Sequence, residues 1–205
     1  MRHAAAPVVL ALAVVTACAP PPRPFTESWY TPPRVLADAA AALPVTVYAF
    51  ADTRPGDDKR VVLRYETNID DPGTVHATAP VGQGVARALA RGLAARGFRV
   101  TDATARDHVA ETGGSPRVAI TGRVAEFDAR IVRASFLGGY RQHVGCRLTL
   151  EAYDAASGRR LFERTYARVA EGAMSPMEPL AFLARALADV VEQAVTVTEL
   201  LRAIS

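Results

Sequence analysis

Leu180, Leu183, Leu187, Val190, Ala194, Val197, Leu201 and Ile204 recur at alternating intervals of three and four, up to the end of the chain. That is the repeat of a helix with one apolar stripe, and such a helix is stable mainly through the surface its stripe covers. A matching surface lies upstream. In Tyr140–Tyr153 the residues Val144, Cys146, Leu148 and Leu150 point one way, while His143, Arg147, Thr149 and Glu151 point the other, a strand period of two. A helix lying on a half-exposed sheet satisfies both patterns, and it is expected in preference to a coiled coil built on the same seam. Ser175, Pro176 and Glu178 resemble a capping box with proline in the first turn, and Pro179 offers a later start. The four β-branched residues Val195-Thr196-Val197-Thr198 mark where the helix should bend or break.

The rest of the folded part reads as strands around one more helix. Val45–Phe50 is β-branched and aromatic on both faces, as in a strand buried on both sides. A polar turn over 51–59 with Pro55-Gly56 leads to a second strand, Arg60–Tyr65, and an acidic turn, Asn68–Gly73. Between Pro80 and Arg96, Val81, Val85, Ala88, Leu89, Gly92 and Leu93 give an amphipathic helix, stopped at Gly97 before Phe98-Arg99-Val100 enters a strand. Ala103–Glu111 is expected to add a short helix. Val118, Ile120 and Val124 share one strand face, but Phe127, Ala129 and Ile131 fall on the other, so a bulge belongs between Gly122 and Glu126. After Gly138-Gly139 the alternating strand follows, and a hairpin through Ala156-Ser157-Gly158-Arg159 returns as Arg160–Val169. The expected fold is α+β: one domain over 44–205, with a mostly antiparallel sheet covered on one face by the 80–96 helix and the long C-terminal amphipathic helix.

The N-terminus is of another kind. Arg2 precedes an apolar run from Ala4 to Val15, too short to span a bilayer permanently, and small residues lead to Cys18. Val15-Thr16-Ala17-Cys18 resembles a bacterial lipobox. By that resemblance residues 1–17 are a signal removed on export, and Cys18 is lipidated on its sulfur and freed amine. Each buried methylene adds about 0.8 kcal/mol, so two or more acyl chains hold almost permanently. Ala19 stands where an aspartate would mark inner-membrane retention in enteric bacteria, which points to the outer membrane, with the domain facing the periplasm. Residues 18–43 form a proline-rich tether; residues 19–34 in polyproline form would reach about 50 Å. Phe25, Trp29 and Tyr30 within it are either an interfacial or partner-binding patch or a segment that docks back on its own domain.

Composition narrows the chemistry. The formal net charge of +3, to which Arg2 contributes, does not announce nucleic acid. With Cys18 modified, Cys146 has no partner for an intramolecular disulfide, and its apolar strand face marks it as a core thiol. His76, His108 and His143 are scattered without zinc spacing, and His3 lies in the signal, so no metal site and no cofactor are expected. Gly82-Gln83-Gly84 lacks the rest of a phosphate-binding loop and reads as helix entry. Asp57-Asp58 and Asp70-Asp71 lack the spacing of a calcium loop. One position stands out: Asp52-Thr53-Arg54 follows the first strand, where a loop could hold a ligand or partner. The plainer reading is a local turn in which Asp52 caps backbone amides and Arg54 pairs with it. No catalytic residues are assigned.

Together these features resemble the YajG-type bacterial envelope lipoproteins: the lipobox, the tether, the strand running into Phe50-Ala51-Asp52-Thr53-Arg54, and the helix ending Leu93-Ala94-Ala95-Arg96-Gly97-Phe98-Arg99-Val100. The long strands, Leu161–Tyr166, Glu171-Gly172-Ala173 and the terminal helix complete the likeness, which covers nearly the whole mature chain. The helix end also resembles auxiliary lipoproteins of ABC-type transport systems. The resemblance implies a non-enzymatic α+β lipoprotein, with Cys18 as its one transferable functional position. Complete folding signals without a catalytic set point to a structural or interaction module whose uncovered sheet face or strand edges meet an envelope protein partner. The alternative the resemblance implies is a transport auxiliary handling lipid or another hydrophobic solute in an apolar groove. An enzyme would require His76 or His143 to converge with carboxylates in a cleft.

Overall fold

The computed structural model describes residues 30–33, 44–66, 73–105, 117–133, 139–172 and 179–203. Along the chain run β1 (Val45–Tyr48), β2 (Ala51–Asp52), β3 (Val61–Glu66), β4 (Thr74–His76), α1 (Val81–Ala95) and β5 (Val100–Ala103). They are followed by β6 (Val118–Arg133), β7 (Tyr140–Asp154), β8 (Arg160–Gly172), α2 (Pro179–Thr196) and α3 (Thr198–Ala203).

β6 is the spine. One of its edges pairs antiparallel with β7 from end to end, and β7 pairs antiparallel with β8. Its other edge is shared by three short strands in turn. β1 lies against Val118–Ile120, β2 against Arg123–Val124 and β3 against Ala129–Val132, all parallel to it. β5 adds outside β1 in parallel, and β4 outside β3 antiparallel.

The sheet is therefore mixed, and the expectation of a mostly antiparallel one is corrected. The physical reason is connection length. Strands that follow each other across a short link, β3–β4, β6–β7 and β7–β8, run antiparallel, whereas the parallel pairs β1–β5, β1–β6, β2–β6 and β3–β6 join strands separated by longer stretches of chain. The four residues of β1, buried on both faces, are the kind of strand that parallel sheets accept.

The bulge falls at Ala125. Val124 pairs with Leu148 and Glu126 with Arg147, so Ala125 is left over and the inward parity changes from even to odd. Inward residues on both sides of it, Ile120, Val124, Phe127, Ala129 and Ile131, are all at most 1 % exposed. They meet α1 through Val85, Leu89 and Leu93, and α2 through Leu183, Leu187, Val190 and Val191, in one core. Both helices thus cover the same face, as the two apolar stripes require.

α1 starts after Pro80, whose carbonyl accepts from Gln83 and Gly84 N–H. Gly82 lets this first turn press on the link between β1 and β2: a Cβ there would sit 2.1 Å from the Phe50 carbonyl oxygen. Helix entry is thus the role of the Gly82-Gln83-Gly84 stretch. The terminal helix breaks at Val197, inside the β-branched run, where the Thr196 hydroxyl donates back to the Glu192 carbonyl at 2.7 Å. The hairpin between β7 and β8 is held by Asp154, whose carboxylate accepts from the Ala156 and Ser157 amides. The signal, Cys18, Phe25 and Trp29 lie outside the described residues. So do Asp70-Asp71, the capping-box residues 175–178, and most of the 103–111 segment including His108.

Candidate functional site

The bulge also decides what the open face of the sheet displays. Beyond Ala125 the outward residues of β6 become Glu126, Asp128 and Arg130, opposite Arg147, Gly145 and His143 of β7. Arg64 of β3 stands beside Arg130. Glu126, Asp128, Arg130, Arg147 and Arg64, with Asp58, Glu66 and the rim of the 54–61 loop, line a cleft of about 420 Å³.

The floor of this cleft is pinned by Asp52 and Arg54. Arg54 is 6 % exposed. Its Nε and Nη2 donate to the Asp52 carboxylate at 2.9 and 2.7 Å. Nη1 donates to the carbonyls of Val61 and Phe127 at 2.8 Å each, and Nη2 also to that of Lys59 at 2.7 Å. All five N–H donors of the guanidinium are thereby occupied within the chain. The pair joins β2, the 54–61 loop and the middle of β6, and the Asp52 carboxylate also accepts from the Arg54 amide at 3.2 Å. The sequence reading of Asp52 and Arg54 as a local, mutually paired turn matches this geometry. A ligand at the loop would meet the edge of the pair rather than free donors.

Beside Arg130, His143 bridges β6 and β8. Its Nε2 lies 2.6 Å from Glu126 Oε1 and its Nδ1 3.0 Å from Glu171 Oε1. Glu126 reaches the imidazole by lying across Gly145, where a Cβ would come within 2.0 Å of the carboxylate oxygen. The Glu126 hydrogen bond raises the histidine pKa above its usual 6.5, partial burial opposes it, and Glu171 adds to the rise. With the two carboxylates at opposite ring nitrogens, the three groups cannot converge on one ion, and no metal-binding cluster of His, Cys, Asp or Glu occurs among the described residues. His76 sits on β4, separated from β7 by β3 and β6, with its Nδ1 3.1 Å from an Asp58 carboxylate oxygen. The two histidines therefore do not share a site.

The remaining charges are partly matched. Arg130 Nε lies 2.8 Å from Asp128, and Arg147 is 3.8 Å from Glu126. The arrangement can align a partner by charge and hydrogen bonding. Cys146 lies on the other face, fully buried, its thiol pushed up to about 12 by burial. None of Glu126, Asp128, Arg130 or Arg147 stood out in the sequence. Their shared face follows from the parity change at the bulge, which was the available signal.

No family model matches the chain, and no curated protein matches it. Solved structures do. The chain is similar to protein XCC0632 from Xanthomonas campestris, family-model DUF330, at 14 % identity and a TM-score of 0.57, over 88 % of this chain and 93 % of that one. It shares that protein's fold. Looser likenesses are the PelC dodecamer from Paraburkholderia phytofirmans, at 17 % identity, a TM-score of 0.44, and 79 % and 91 % coverage, and the lipoprotein GNA1162 from Neisseria meningitidis, at 12 %, 0.42, and 74 % and 99 %.

Proposed function

We propose that this chain is a non-enzymatic bacterial envelope lipoprotein of YajG type, anchored through Cys18 to the outer membrane, which binds an envelope protein partner from the periplasmic side. The observation that carries the reading is Val15-Thr16-Ala17-Cys18 behind a short apolar run, joined to a domain with one face sealed by helices and the other open and charged. Such a face suits recognition by polar complementarity, which favours specificity and orientation over raw affinity.

The transport-auxiliary reading needs apolar space under α2. The cavities there, one lined by Val81, Phe127 and Leu187 and the other by Phe50, Leu148 and Tyr166, have room of about 10 Å³ each. That is about the room one water molecule needs, so an acyl chain would enter only if α2 lifted. The partner-binding reading is the one this geometry favours.

Two measurements test it. Radiolabelled palmitate should enter the mature protein and be lost in Cys18→Ser, which should also leave the membrane fraction. A photo-crosslinker at Arg64 or Arg147 should capture one envelope protein, and Glu126→Arg should abolish that capture. An unlabelled mature chain, or capture indifferent to the charge change, would refute the respective half.

A further inference from the structure

Glu126 is shared between two cationic side chains. Its Oε1 lies 2.6 Å from His143 Nε2, and its Oε2 lies 3.8 Å from Arg147 Nε. His143 Nδ1 is at the same time 3.0 Å from Glu171 Oε1. A neutral imidazole has one N–H and can serve only one carboxylate, so serving both takes the doubly protonated ring. The arrangement is that of the imidazolium. Beside it Arg147 stands off from Glu126, at a distance too long for a hydrogen bond.

The other charges around the ring on the open face, among the described residues, are Asp128 and Arg130 on β6 and Arg141 on β7. Arg130 is opposite His143 in register but is held by Asp128 at 2.8 Å, and Arg64 and Glu66 of β3 lie beyond it. Arg141 is exposed two residues along β7. Arg147 is half exposed and lines the cleft with Glu126, whereas His143 and Glu171 lie outside that lining.

When the ring gives up a proton, its two carboxylates are not equivalent. Glu171 is 74 % exposed and can turn into water, while Glu126 is 20 % exposed and lies across Gly145. Loss from Nδ1 therefore releases Glu171 and keeps one N–H on Glu126. The Glu126 charge then has Arg147 as its nearest uncommitted cation. We infer that His143 is a pH gate on the cleft: protonated, it holds Glu126 and leaves the Arg147 guanidinium open to the partner; neutral, it lets Arg147 close onto Glu126. The gate is a property of the free chain, and its use rests on the partner-binding reading above. Histidine is the side chain whose charge ordinarily changes near neutral pH, so modest acidification or alkalinisation would work it.

The chain from residue 18 with Cys18→Ser, labelled with nitrogen-15 in histidine and arginine, is titrated by NMR from about pH 5 to about pH 9. Both His143 ring nitrogens should carry protons on the acid side, with a midpoint above the usual 6.5. The Arg147 Nε resonance should move with that same midpoint. The movement should vanish in Glu126→Gln and in His143→Gln, with the backbone amide spectrum reporting that each variant is folded. A photo-crosslinker at Arg64 should capture the envelope partner several-fold more at about pH 6 than at about pH 9. Glu126→Gln should keep capture high at both, and His143→Gln low at both. An Arg147 signal indifferent to the His143 midpoint, a midpoint at or below 6.5, or equal capture at the two pH values would overturn the gate. No capture at either pH would refute the partner-binding reading, while a shared midpoint would still support the gate.

Discussion

Replacing Asp52 with alanine would leave the Arg54 guanidinium inside the fold with three carbonyls and no counter-charge. Removing one partner of a buried ion pair typically destabilises by about 3–5 kcal/mol. Asp52→Ala should therefore lower the urea midpoint strongly, and Arg54→Met, which strands the carbonyls of Lys59, Val61 and Phe127, should do likewise. A midpoint unchanged in either variant would remove the pin. His143 gives a subtler signal. Its pKa is raised in the folded protein, so its stabilising contribution is complete below the unfolded value near 6.5 and fades as pH climbs through the folded one. Stability measured from pH 6 to 9 should drop in this window, by about 0.5 kcal/mol or less for a partly exposed cluster, and His143→Gln should flatten the drop. The Asp52–Arg54 pairing was legible because the two residues are neighbours in sequence. The Glu126–His143–Glu171 bridge was not, because it needs three strands in register and a glycine under the carboxylate.

Periodicity located the elements well where it was long. α1, α2 and a bulge between Gly122 and Glu126 follow from residue spacing, and the helix break at Val197 from the β-branched run around it. Strand direction did not, because β1, β2 and β3 are too short to announce their partners, and the clue that β1 is apolar on both faces names a buried strand without saying which neighbours it takes. The contribution of the helix layer is testable in two ways. Leu187 is 1 % exposed, and Leu187→Ala should destabilise by about 2–5 kcal/mol in chemical unfolding. Gly82→Ala forces a methyl against the Phe50 carbonyl, so α1 must shift from the β1–β2 link, and a loss of about 1–3 kcal/mol is expected. A neutral Gly82→Ala would mean the helix start is less tightly set than its approach implies.

In the whole molecule, the two faces of the sheet differ: one is closed by the long helices over the main core, the other is charged around the cleft and carries a small buried cluster of Tyr48, Ala103 and Ala119. One buried atom has a practical consequence. Cys146 lies at 0 % exposure in the middle of β7, with its thiolate disfavoured. In a version with Cys18 replaced, it is the sole sulfhydryl left to alkylate. Iodoacetamide uptake under native conditions should then proceed only through whole-domain opening, making this sulfur an internal clock for how often the protein comes apart.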